Sequence, residues 1–167
     1  MKNDMIQYDC KVVKIQMNKA IYFDMDGTVA ELYKVENWLP RLRAEDPSPY
    51  LEAEPKIDTA ELSNILWELR KQGYTIGIIS WLSMKASKEY DNAVRQAKRQ
   101  WLKTHIPFVF DHIHLVKYGT PKHTIPYQRK GILVDDNQQV REQWERYGGI
   151  ALDATPDDWL TQLRLLT

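Results

Sequence analysis

The sequence predicts an α/β protein built on a parallel sheet, and three observations carry that expectation. Short apolar runs rich in β-formers occur at 21–23, 74–80 and 130–136, each of strand length and bounded by polar residues or glycine. The run at 74–80 is nearly continuous, as expected of a strand buried on both faces. Helical patterns lie between the runs, with Leu62, Ile65, Leu66 and Leu69 at i, i+3, i+4 and i+7 of one stripe. The 167 residues suit one domain with one core.

Composition excludes several classes. Hydrophobic residues make up 43% and charged residues 28%, ordinary for a soluble globular chain. Lys+Arg and Asp+Glu both count 23, so there is no basic surplus to serve as a nucleic-acid footprint, although a local basic patch remains compatible. Cys10 is the only cysteine, so no internal disulfide can form and a reducing compartment is expected. No apolar run reaches membrane-spanning length and no signal-peptide core is visible, which makes a cytoplasmic protein the expectation.

In chain order, residues 1–19 read as an N-terminal extension, with a leading strand over 11–15 and Met17 as an alternative start. Residues 21–23 form the first strand, which ends in Asp24 and Asp26. Ligands of α/β proteins bind at the carboxyl ends of parallel strands, so this pair falls where chemistry is expected. Carboxylates this close repel and require a cation or a shared proton. Gly27 permits a turn with positive φ, and Thr28 adds a hydroxyl.

The segment 31–56 carries Pro40, Pro47, Pro49 and Pro55 and predicts loops and short turns. Trp38 and Tyr50 are read singly as packing this insert onto the core, stacking on a substrate base being the alternative. Asp58 caps a helix, with Glu61 as its capping-box partner, and Gly73 stops it. The strand at 74–80 closes on Ser80, and Trp81 follows either as a pocket wall or as packing.

A long helix is predicted over 84–105. Ala86, Tyr90, Val94, Ala97 and Trp101 form its buried face, while Lys85, Lys88, Arg95, Lys98, Arg99 and Lys103 form a solvated basic side. His112 and His114 share one face of the next strand and are read as structural or surface residues. The strand at 130–136 ends in Asp135 and Asp136, and Asn137 orients the following loop. Val140, Trp144 and Tyr147 mark a further helix with an Arg141–Glu145 pair. Residues 150–152 read as an edge strand, and Thr155 with Pro156 as the start of a last helix.

Asp-Met-Asp-Gly-Thr at 24–28, following an apolar strand, resembles motif I of the haloacid dehalogenase (HAD) superfamily. Ser80 closing the second strand resembles motif II, and Asp135-Asp136 resembles motif IV. The form of these motifs is nearest to the 5′-nucleotidase and deoxyribonucleotidase-like phosphatase branch. The resemblance runs from 21 to 136 and is loose in the insert. It implies a three-layer α/β/α sandwich with a HAD-like Rossmannoid parallel sheet, in one domain over 20–167 with a minimal cap or flap at about 31–56.

It further implies a Mg²⁺-dependent phosphatase that hydrolyses a phosphate monoester, a nucleotide among the candidates, through an aspartyl-phosphate. In that scheme Asp24 is the nucleophile and Asp26 the general acid/base, while Thr28, Ser80 and Lys122 bind phosphate. Asp24, Asp26 through its carbonyl, and Asp135 or Asp136 hold Mg²⁺. Lys117 is the runner-up to Lys122 for the motif III lysine, and Lys130 the poorest candidate. Dehalogenation is disfavoured, because it needs neither the second aspartate nor the metal. The expected partner is a small phosphorylated substrate, with a nucleic-acid end less favoured, no membrane, and the oligomeric state left open. The alternatives are a polynucleotide-end phosphatase and a non-catalytic binding protein that keeps the fold.

Overall fold

The computed structural model describes residues 19–125, 131–156 and 158–167. The expected strand at 11–15, Met17, Cys10 and Lys130 lie outside these residues. Five strands, β1 (Ala20–Phe23), β2 (Thr75–Trp81), β3 (His112–Val116), β4 (Ile132–Asp135) and β5 (Ile150–Asp153), pair in the order β3-β2-β1-β4-β5. Every pairing is parallel. The helices are α1 (Trp38–Arg43), α2 (Ser48–Glu52), α3 (Thr59–Lys71), α4 (Lys88–His105), α5 (Gln138–Arg146) and α6 (Trp159–Arg164).

Strand periodicity sorts the side chains between two cores. Ile21 and Phe23 of β1, with Ile76 and Ile78 of β2, pack under α3, α4 and α6. Ala20 and Tyr22 point the other way, onto Val140 and Trp144 of α5. Because the central strands β2, β1 and β4 are buried on both faces, they carry almost no polar side chains until their ends, whereas the edge strand β3 carries His112 and His114. The chain winds outward from β1 through β2 to β3, then crosses back to β4, so the switch point lies between β1 and β4. A crevice opens there at the carboxyl ends of the two strands. Among the described residues, no helix is long and apolar enough to cross a membrane.

Several local expectations are corrected. The insert is partly helical: Pro40 lies in the first turn of α1 and Pro49 in that of α2, where an amide N–H has no intrahelical partner to lose. Helix α4 starts at Lys88 and not at 84, because Lys85 is left-handed (φ 56°) and Ser87 Oγ caps the helix by accepting from Tyr90 N–H. The last helix starts at Trp159, since the Thr155 N–H is taken by Asp153 in a turn. Arg141 pairs with Asp153 at 3.0 Å, not with Glu145. Glu61 pairs with Arg164 and not with its own helix cap, while Asp58 caps α3 as expected. Tyr147 is half exposed and stacks on His123 at 3.8 Å between centroids.

Trp144 is pinned from three sides. It is fully buried, its Nε1 donates to the Gly131 carbonyl at 2.9 Å, and its ring meets Tyr22 edge-on. A Cβ on Gly149 would come within 2.2 Å of Trp144 Nε1. Gly149→Ala is therefore expected to destabilise the fold by about 1–3 kcal/mol, measured by urea unfolding.

Candidate active site

The acidic end of β1 is built by backbone. Asp24 N–H donates to the Val134 carbonyl at 2.9 Å, which extends the β1–β4 pairing by one step and sets Asp24 beside Asp135. The chain then turns sharply, with the Met25 carbonyl accepting from the N–H groups of Thr28, Val29 and Ala30. Gly27 is required twice over. Its φ is +80°, and a Cβ there would lie 2.3 Å from Asp136 Oδ2. Thr28 is fully buried, and its hydroxyl accepts from Asp136 N–H at 3.2 Å, which ties the β1 and β4 loops together.

Lys122 enters from the loop before β4. Its Nζ donates to Asp24 Oδ1 and to Asp135 Oδ2, both at 2.7 Å, and its side chain is 3% exposed. Lys117, the runner-up on sequence, is exposed. The Trp81 indole lies 5.4 Å from the Lys122 ammonium and donates its Nε1–H to the Thr120 carbonyl at 2.8 Å, which braces the Lys122 loop. The second oxygen of Asp135 accepts from Asn137 N–H at 2.8 Å. Asn137 also caps α5, accepting from Gln139 and Val140 N–H, so it does orient this loop.

Lys98 corrects the sequence reading. It was expected on the solvated basic side of α4, but it is fully buried. Its Nζ donates to Asp26 Oδ2 at 2.6 Å, Ser80 Oγ at 2.9 Å and the Trp81 carbonyl at 2.8 Å. The signal was present in the spacing: Lys98 is four residues after Val94 and three before Trp101, on the buried stripe itself. Ser80 shares a strand face with Ile76 and Ile78, so it points at α4 and is fully buried there.

A cavity of about 270 Å³ opens over the acidic strand ends. Asp24, Asp26, Lys122, Asp135 and Asp136 line it, whereas Thr28 and Ser80 lie behind the lining. Its walls are aromatic and apolar and include Tyr33, Trp38, Tyr50, Trp81 and Tyr118. Trp38 and Tyr50 pack the insert onto the core, with Tyr50 Oη 2.6 Å from Ser83 Oγ, and both also line the cavity.

The electrostatics follow from burial. Desolvation, with Asp24 and Asp135 nearby, pushes Asp136 up to about 7. Burial raises Asp135 to about 6 although Lys122 opposes it. Asp26 is also raised, by burial and by Asp24, against the pull of Lys98. Burial would lower Lys122, but Asp24 and Asp135 outweigh it and hold this lysine above its ordinary value.

When all four aspartates ionise, the two lysines leave a net negative site. Asp24, Asp135 and Asp136 each offer an oxygen within 4.8 Å of the others. An all-carboxylate set of this kind fits a hard divalent cation such as Mg²⁺. The Asp26 side chain stands apart from that set, held by Lys98.

No family model matches the sequence, and no curated protein matches it. Among solved structures, a chain of the Pnkp1/Rnl/Hen1 complex shares the fold, with a TM-score of 0.57 at 18% identity. The match covers 83% of this chain and 46% of that one, so this chain spans less than half the length of its structural neighbour. At this identity the likeness shows the α/β Rossmann-like fold alone.

The raised carboxylates have a stability signature. Asp135 and Asp136 titrate above the ~3.9 of an unfolded aspartate, so the folded state binds more protons between about pH 4 and pH 7. Their contribution is full below that window and is lost as pH rises through it. The melting temperature of metal-free protein is therefore expected to fall from pH 5 to pH 7.5. Saturating Mg²⁺ or Asp136→Asn should flatten the fall, as read by thermal melts in EDTA and in Mg²⁺.

Proposed function

We propose that this protein is a HAD-type, Mg²⁺-dependent phosphatase acting on a small phosphate monoester. The observation that carries the reading is the convergence of Asp24, Asp26, Asp135, Asp136 and Lys122 on the floor of one cavity at the β1/β4 switch point. Phosphate-monoester hydrolysis is among the slowest uncatalysed reactions, with enzymic accelerations of up to ~10²¹-fold, and it calls for a nucleophile, an acid and positive charge acting together.

Asp24 Oδ1 is held by Lys122, which leaves Oδ2 to attack phosphorus and form the aspartyl-phosphate. Asp26 donates a proton to the departing ester oxygen, and its carboxylate then takes one from the water that hydrolyses the acyl phosphate. Its raised affinity for protons suits the first role. Lys122 balances the charge that builds on the phosphoryl oxygens. Asp24, Asp135 and Asp136, with the Asp26 carbonyl, would hold the cation. Mg²⁺ held there would supply further charge neutralisation for the phosphoryl group.

The cavity favours a small substrate over a polynucleotide end. Arg43 is the one cation besides Lys122 among its described lining residues, and a strand's phosphates need a basic track. The aromatic walls suit a leaving group with a flat apolar face, which keeps a nucleotide among the candidates.

Turnover assays on wild type and variants test this. Wild type is expected to turn over p-nitrophenyl phosphate in Mg²⁺ and to stop in EDTA. Asp24→Asn should lose at least ~10³-fold in kcat while staying folded. Undiminished Asp24→Asn activity would remove the nucleophile and the proposal with it. A screen across nucleotides, sugar phosphates and end-phosphorylated oligonucleotides assigns the substrate. Silence across the whole screen from a folded, Mg²⁺-binding protein would favour a binding module instead. Lys122→Met is expected to lower kcat by ~10²- to 10³-fold, comparable with the loss of an oxyanion-stabilising donor.

A further inference from the structure

We infer that Lys98 is a positioning residue for Asp26, selecting from inside α4 which carboxylate oxygen faces the cavity. The chemical role rests on the phosphatase reading above; the contact itself rests on geometry.

A buried ammonium costs several kcal/mol of desolvation unless it is fully satisfied. Lys98 meets that condition completely. Its three N–H bonds go to Asp26 Oδ2, Ser80 Oγ and the Trp81 carbonyl, and its Nζ lies 4.9 Å from the Tyr50 ring centroid. With every donor engaged and no surface on the cavity, Lys98 is not placed to grip a phosphoryl group, as Lys122 is. Any effect on chemistry therefore runs through its partners.

The partners show what that effect is. Asp26 Oδ2 is fixed, so Oδ1 is the oxygen left for proton exchange with a substrate. Asp24 lies two residues away and bears like charge; Lys98 holds the Asp26 carboxylate against that repulsion. Ser80 Oγ accepts from Lys98, so its own proton is free for another acceptor. Packing alone does not call for this arrangement. The position lies on an apolar stripe with Val94 and Trp101, where a leucine or methionine would fill space without desolvating a charge. Buried ion pairs replaced by apolar side chains are often neutral or more stable.

The test compares leaving groups. A proton donor matters for an aryl phosphate whose phenolate is strongly basic and matters little for p-nitrophenolate, which departs as a stable anion. Lys98→Met is expected to lower kcat/KM for phenyl phosphate by ~10²- to 10⁴-fold, but for p-nitrophenyl phosphate by less than about tenfold. The step read by kcat/KM ends with departure of the leaving group, so it is kept apart from the water step that Asp26 also serves and that slows kcat for both substrates. Equal losses of kcat/KM across the series, or no loss, would overturn the role.

Removing Lys98 alone leaves Asp26 unpaired, so the double variant Asp26→Asn/Lys98→Met guards against misfolding by neutralising both partners. It should be no slower than Asp26→Asn alone, whereas multiplied losses would mean that Lys98 acts independently of Asp26.

A readout without turnover separates the two layers. The ¹⁵Nζ resonance of Lys98 should move in Asp26→Asn and stay in place in Asp135→Asn; an unmoved signal in Asp26→Asn refutes the pairing. If the pairing is seen but wild type hydrolyses neither an aryl phosphate nor any phosphoester of the substrate screen, the phosphatase reading fails and the positioning role falls with it, while the contact stands.

Discussion

Charge held against its own repulsion is the constraint on which the site depends. The register that opposes Phe23 to Val134 brings the next residues, Asp24 and Asp135, to the same level at the ends of adjacent strands. Two more aspartates follow within two residues of these. In a low-dielectric crevice such a set is tolerated only with compensating cations or bound protons. The fold supplies two lysines from separate directions. Lys122 bridges Asp24 and Asp135 from a loop, and Lys98 holds Asp26 from a helix. Each lysine is buried: Lys122 donates to the two acids it neutralises, and Lys98 to Asp26, Ser80 Oγ and the Trp81 carbonyl, so removing one member of either pair leaves a buried charge unpaired.

This division of labour separates the carboxylates chemically. Asp24, Asp135 and Asp136 can share a cation, whereas the Asp26 side chain lies outside that set and accepts from Lys98. Two aspartates two positions apart in sequence thus acquire different surroundings, which is the physical basis for giving them different roles.

The insert contributes preformed walls. Lys56 Nζ donates to the carbonyls of Gly27 and Ala154, at 3.0 and 2.6 Å, and clips the insert to the loop that carries Asp26. Glu45 accepts from the N–H and hydroxyl of Ser87 at the start of α4, and Trp101 Nε1 donates to the Ala53 carbonyl at 2.6 Å. Tyr90 Oη–H reaches the Asp46 carbonyl. These bonds fix the insert whose Trp38 and Tyr50 line the cavity, so that wall is shaped in advance.

The strands, their polar ends and the helix stripes were legible in the sequence because each is set by neighbours close in the chain. Burial on both faces demands an apolar run, and chemistry at a strand end demands a polar stop, so 21–28, 74–80 and 130–136 announced themselves. Helix starts were less legible, because a cap such as Ser87 competes with a helical pattern that extends beyond it. Lys98 shows the deeper limit. Its spacing put it on the buried stripe, but a lysine reads as a solvent residue until an acid is known to wait inside. Only the packing of α4 over β2 brings it to Asp26, 72 residues away in the chain. The sequence by itself determined which acids stand at the ends of strands. The tertiary structure decided which cation faces each of them, because that depends on contacts between segments whose approach no local pattern encodes.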